Sequence, residues 1–245
     1  MRTLLDALKW IATGHWSGSE GIPLRVAQHL ELSLASVVIA AAIAIPIGLL
    51  IGHTRRGTFL AVSIANLGRS IPSFAVLVLL YLLILNVAPS FAFGFTPTVV
   101  ALVLLAIPPI LTNTYVGIQA VDADIVEAGR GMGMSGRDIL FRLETPLAAR
   151  LIMAGLRTAA VQVVATATLA ALIGGGGLGR YIIDGQAQGD RAKLVAGAIL
   201  VAVLAILTEV AFAWIERRVT PKALRREPDA SGRAGIPPQV QTEAA

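Results

Sequence analysis

Charge is scarce in this 245-residue chain. Only 14% of its residues are charged against 56% hydrophobic, too few to coat a soluble globule of this size, so lipid is the expected solvent for most of its surface. Cysteine is absent, which excludes disulfides, thiol catalysis and cysteine-ligated metals. The three histidines, His15, His29 and His53, are scattered over presumed loops and helix ends without ligand spacing, and no metal site is expected. No cluster of nucleophile, base and orienting partner is visible, which argues against an enzyme. The net charge of +5 is distributed as a membrane protein's topology requires, and nucleic acid is not expected as a partner. No internal repeat is evident.

What the chain does have is long apolar runs. A bilayer crossing needs about 20 apolar residues, and five candidates qualify: Leu32–Ile51, Ile71–Ala88, Thr98–Val121, Leu151–Ile173 and Leu194–Ile215. The expected class is therefore an all-α polytopic membrane protein with five core transmembrane helices. Asp6 and Lys9 interrupt the apolar run of Leu4, Leu5, Leu8 and Ile11, so the N-terminus reads as an amphipathic surface helix rather than a secretory signal. The expected organisation is an external or interfacial segment over 1–29, a transmembrane domain over 30–219 with a cytoplasmic loop at 122–150, and a disordered cytoplasmic tail over 220–245.

Lys and Arg set the orientation. With the N-terminus outside, the external segments hold six: Arg2, Lys9, Arg25, Arg180, Arg191 and Lys193. The inside then holds thirteen, from Arg55, Arg56 and Arg69 through the third loop to the tail, and the C-terminus is cytoplasmic. Arg157 and Glu209 fall within spans and read as snorkelling or an inter-helix pair in preference to an ion path. Pro46, Pro72, Pro108 and Pro109 are expected to interrupt the first three spans.

The loop from Asp122 to Arg150 carries ordered signals. Asp124 followed by Glu127 has the form of a helix cap and its partner, and Gly133 stands where a glycine would end that helix. Ser135 with Asp138 resembles a second cap, Ile139, Leu140 and Leu143 supply an apolar face, and Pro146 breaks or kinks the segment after it. A helix-turn-helix on the cytoplasmic face is expected.

This loop resembles the signature of binding-protein-dependent ABC importer permeases, in which Glu-Ala-Ala is followed by a Gly and then by Ile-x-Leu-Pro. Here Glu127, Ala128, Gly133 and Pro146 keep register, while Gly129, Leu143 and Thr145 depart from it. The resemblance runs from about His29 to Val219 and is strongest to permeases of glycine betaine, carnitine and choline importers, through Arg69–Ser73, Glu127–Arg157 and Ile173–Gly179. The methionine importer permease shares the five-span plan.

The resemblance implies a type I importer permease fold in a multi-pass cell (inner) membrane protein without enzymatic activity of its own. It further implies ATP-binding cassette ATPase subunits that use ATP and Mg, an extracytoplasmic substrate-binding protein, and a second permease chain. It assigns Glu127, Ala128, Gly129, Gly133, Met134, Ser135 and Pro146 to coupling with the ATPase: Glu127 braces the loop, Gly133 makes its turn and Val126–Ser135 contacts the ATPase. Its implied cargo is a quaternary-ammonium osmoprotectant; the alternatives are a methionine-type importer and a stand-alone secondary transporter. At 5% aromatics, this chain alone is a poor source of an aromatic cage, so recognition falls mainly to the binding protein.

Gly174, Gly176 and Gly179 satisfy G-x-G-x-x-G, but the membrane context excludes a dinucleotide fold, and Arg180 and Tyr181 exclude a phosphate loop. The run reads as a flexible external turn that allows close helix packing or gating. No cofactor is expected on this chain. Ser70, Ser73, Asn113, Gln162 and Thr166 are candidate path-lining residues, as are Asn86, Thr114 and Thr168, with helix-helix hydrogen bonds as the competing explanation.

Overall fold

The computed structural model describes residues 2–13, 16–18 and 20–219; His15 and the tail expected to be disordered, 220–245, lie outside the described residues. Among the described residues every regular element is helical: α1 (Arg2–Ala12), α2 (Ile22–Thr54), α3 (Thr58–Ser70), α4 (Ser73–Val87), α5 (Phe95–Gln119), α6 (Ala123–Gly131), α7 (Gly136–Asp138), α8 (Thr145–Thr166), α9 (Gly179–Gln188) and α10 (Arg191–Val219). A π-helical turn, Ile139–Glu144, joins α7 to α8, and a 3₁₀ segment, Ala167–Ile173, prolongs α8.

Among the described residues four helices are long and apolar enough to cross a bilayer: α2, α5, the continuous run Gly136–Ile173 and α10. The expected second span is the 15-residue α4, which at 1.5 Å per residue reaches about 22 Å, short of the roughly 30 Å hydrocarbon core. The chain nevertheless returns from one end of the bundle to the other between α2 and α5. α2 ends beside the 122–150 hairpin, where His53 meets Glu144, and α5 begins at the opposite end, where Gly94 N–H donates to Ile173 O. α3 and α4 share that return, broken at Ile71–Pro72. Pro72 thus starts α4 as its N-cap and interrupts no span, whereas Pro46 lies inside α2 and Pro108 and Pro109 inside α5. α9, which follows the glycine run and was not anticipated, is a short helix tied by an Arg180–Asp184 ion pair.

α5 is the axle. Its apolar residues Val99, Leu102, Val103, Ala106, Ile110 and Leu111 form one cluster with Leu32, Val37, Ala40 and Ala44 of α2 and Ala159, Ala160 and Val163 of α8. Lipid supplies no hydrophobic force between helices, so association depends on close van der Waals contact. Small residues provide it: Ser36, Ala40, Ala44, Gly48 and Gly52 recur every fourth position of α2, and all are buried. A Cβ on Gly48 would sit 2.7 Å from Thr114 Cβ, and one on Gly52 would sit 2.6 Å from Ile118 Cβ. Gly155 of α8 repeats the device against Asn113 of α5, at 2.7 Å. The outward faces are inverted relative to a soluble protein, with Leu34, Leu50, Leu79, Leu83, Ile206 and Val210 exposed.

Overpacking a filled contact costs about 1–3 kcal/mol. Gly52→Val is expected to lower stability in detergent by that amount, read from thermal unfolding, while Leu50→Val, on the exposed face of the same helix, stays within about 0.5 kcal/mol of the parent.

Candidate functional site

The hairpin at 122–150 is built from local signals. α6 is capped by Asp122, whose carboxylate accepts from Asp124 N–H at 2.9 Å. The expected cap, Asp124, instead lies in the first turn. At the other end Gly133 adopts φ +83°, its N–H donates to Arg130 O, and Met134 N–H donates to Gly129 O. This is a Schellman stop, which needs a left-handed residue and therefore glycine. Ser135 then caps the second helix, accepting from Asp138 N–H at 3.2 Å and donating its hydroxyl to the Asp138 carboxylate at 2.5 Å.

Pro146 has no N–H to give, and its ring collides with the carbonyl four residues back. The helix opens into a π turn immediately before it, where Thr145 N–H and Oγ1 both reach Leu140 O. The two arms of the hairpin close on Gly129, where a Cβ would lie 2.8 Å from Leu143 Cδ1 and 3.4 Å from Met134 Sδ. Two of the departures from the importer signature therefore face each other: the small Gly129 makes room for Leu143.

Glu127, Ala128, Gly133, Ser135 and Pro146 are exposed, Met134 is half-buried and Gly129 is buried. Glu127 lines an open polar cleft of about 850 Å³ with His53, Arg55, Arg130 and Glu144. His53 Nδ1 lies 2.6 Å from the Oε2 of Glu144, whose side chain is buried, so the hairpin is fastened to the end of α2. Sequence reasoning missed this pair, and it missed Ile125 and Phe141, large apolar side chains left uncovered on the hairpin beside Met132, which lies within the Val126–Ser135 stretch and is 75% exposed.

The path candidates do not form one set. Ser73 of α4 and Thr166 of α8 line the same narrow crevice with Thr98. Gln162 lies one turn before Thr166 on α8 and is exposed, and Thr158, not anticipated, is exposed one turn earlier. Asn113 sits at the α5–α8 contact with its amide on Pro109 O, and Ser70 is exposed at the end of α3. The hydroxyls and amides of Asn86, Asn113, Thr114 and Thr166 bond carbonyls four residues back in their own helices, a local bonding that the sequence reading, which weighed path lining against helix-helix hydrogen bonds, did not consider. Arg157 pairs with Glu209 and Glu216 of α10 at 3.3 and 3.2 Å, the inter-helix pairing favoured for these charges.

At the opposite end of the bundle most of the glycine run is closely packed, while Gly174, at φ +80°, is exposed. A Cβ on Gly175 would meet Ala170 O at 2.6 Å, and one on Gly176 or Gly179 would collide with Gln28 Oε1 or Thr168 O respectively. Tyr181 donates its hydroxyl to Glu20 O, and burial pushes its phenol above the ordinary range, keeping it a neutral donor.

Known proteins with this pattern are membrane transport subunits. Residues 44–221, well over half of the chain, match the model of the family described as binding-protein-dependent transport system inner membrane component. The chain is 37% identical over 198 residues to the carnitine transport permease protein OpuCB of Listeria monocytogenes, covering 81% of this chain and 88% of that one. It is 37% identical over 201 residues to the glycine betaine/carnitine/choline transport system permease protein OpuCB of Bacillus subtilis, covering 82% and 89%. In fold it resembles a chain of the inward-facing MetNI methionine ABC transporter, with a TM-score of 0.72 at 24% identity over 82% of this chain and 96% of that one.

Gly133→Pro forces φ to about −65° where +83° is needed and removes the N–H bonded to Arg130 O. The end of α6 should lose hydrogen-exchange protection over residues 129–135, while α5 and α8 keep theirs; unchanged protection of 129–135 would refute the Schellman stop.

Proposed function

This chain belongs to the family of inner membrane components of binding-protein-dependent transport systems, and from that membership we propose that it moves quaternary-ammonium osmoprotectants such as glycine betaine, carnitine or choline. Its fold is that of a type I ABC importer permease, and it is the membrane-spanning transport subunit, not the ATPase. The substrate reading is supported by one observation above the rest: relatives named for carnitine, choline and glycine betaine match four fifths or more of the chain at 36–37% identity, whereas the methionine transporter is matched at 24%.

In this reading the hairpin is the coupling element. Ile125, Met132 and Phe141, with Ala128, Gly133, Met134 and Ser135, present an uncovered surface to an ATP-binding cassette subunit, which uses ATP and Mg. Glu127 and Pro146 belong to its frame, and the Gly129–Leu143 contact and the His53–Glu144 pair transmit its movement to the bundle. The path is the open face of α8, Thr158, Gln162 and Thr166, with Ser73 beside it and Ser70 and Asn113 at its margins, completed by an identical or similar second permease chain. A substrate-binding protein delivers cargo at the opposite end. Arg55, Arg56, Arg130, Arg137, Arg142, Arg150, Arg217 and Arg218 support a reading with the hairpin end in the cytoplasm and the N-terminus outside.

Reconstitution with the ATPase and binding protein tests the assignment. ATP-dependent uptake of radiolabelled betaine, choline or carnitine is expected, and uptake confined to methionine would overturn the cargo. In the same vesicles Gly133→Pro should insert normally yet hydrolyse ATP without uptake.

Orientation is read separately. The chain has no cysteine of its own, so Phe91→Cys should label from outside in intact cells and Met132→Cys only after permeabilisation; the reverse pattern would invert the topology.

A further inference from the structure

His29 is fully buried inside α2 and holds two partners far along the chain. Its Nε2 lies 2.8 Å from Val164 O, and its Nδ1 lies 3.3 Å from Leu178 N. A carbonyl can only accept and an amide N–H can only donate, so Nε2 carries the proton and Nδ1 is bare. One neutral imidazole therefore closes residues 164–178 into a loop. Its neighbour Gln28 adds a second fastening, accepting from Gly177 N–H at 3.0 Å while Arg25 donates to the same oxygen at 3.1 Å.

The closed loop contains an unusual element. Ala167–Ile173 is a 3₁₀ helix of seven residues, whereas such runs rarely exceed 3–4 residues because their hydrogen bonds are poorer than those of an α-helix. In an α-helix Val164 O would receive the N–H of Thr168, but 3₁₀ bonds reach only three residues back and release that carbonyl. His29 occupies it. The glycine run then folds back along the 3₁₀ segment, with Gly175 N–H on Ala170 O and Gly179 against Thr168 O. Returning seven residues from 2.0 to 1.5 Å rise would shorten the segment by about 3.5 Å and turn its far end by about 140°.

We propose that His29 is a positioning residue for transport: it latches Ala167–Ile173 in the 3₁₀ form, and its release lets the segment rewind toward α-helix, moving the glycine loop beyond Gln162 and Thr166. The proposal rests on the importer reading, because Gly136–Ile173 runs without a break from the coupling hairpin to this latch. The bond to Val164 is the one that competes with rewinding. It comes from the far ring nitrogen, a position that a glutamine amide can imitate and an asparagine amide is too short to reach.

The test uses the assembled importer in lipid, with ATPase and binding protein. His29→Gln should keep the ratio of binding-protein-stimulated to basal ATP hydrolysis within about twofold of the parent. His29→Leu and His29→Asn should each lower that ratio about tenfold, chiefly by raising the basal rate. A merely structural side chain would lower the melting temperature of the leucine variant without changing this ratio. If the variants fail to assemble, hydrogen exchange on the unaltered complex decides: the amides of Gly177 and Leu178, which lose Gln28 and His29 as acceptors on release, should exchange several-fold faster when ATP is trapped than in its absence. Equal ratios for glutamine, asparagine and leucine, or identical exchange in both nucleotide states, would overturn the latch. A complex that takes up none of the named solutes would sink the cargo assignment but leave these readings interpretable.

Discussion

The missing side chains between α2 and α5 are the constraint on which the bundle depends. Where helices sit in lipid, burial of apolar surface gives no advantage over exposure, and only the closeness of contact favours one arrangement. Gly48 and Gly52 let Thr114 and Ile118 touch backbone, and Gly155 does the same for Asn113. These contacts fix α5 between α2 and α8. With α5 fixed, the ends of all three helices are placed: the hairpin at one end of the bundle, the glycine loop at the other.

The hairpin was legible because its signals are local. Gly133, Ser135 and Pro146 each act through the backbone within a few residues, so their types and spacing suffice. The cap at Asp122 was missed because Asp124, with Glu127 three residues later, offers the fuller capping pattern, whereas the choice depends on where α5 releases the chain. The small-residue stripe of α2 was present in the spacing from Ser36 to Gly52, hidden by an apolar run that already explained itself as a span. Four of the five expected spans were legible from hydropathy as helices long enough to cross, but the break between α3 and α4 was not: the run from Ile71 to Ala88 says nothing of where the preceding helix stops.

The partners of His29 and His53 were beyond sequence reasoning for one reason. Each acts across the fold, on Val164 and Glu144 respectively, and a separation of that order leaves no trace in local composition; Arg157 and Glu209 could be paired only because charges inside spans are scarce. The same holds for π and 3₁₀ geometry, since hydropathy sees faces and not hydrogen-bond register. The glycine run shows the limit from the other side: its residue type was informative, but whether absent side chains serve freedom or proximity is decided by what lies opposite them.

The continuous run from Gly136 to Ile173 has an underwound π turn near one end and an overwound 3₁₀ segment at the other. Its two compliant places are thus torsional, while the regular α-helix between them is stiff. A change of winding at either place would rotate what lies beyond it as well as shift it along the bundle axis, so the two ends of this one run are the places where its length and its twist are adjustable together.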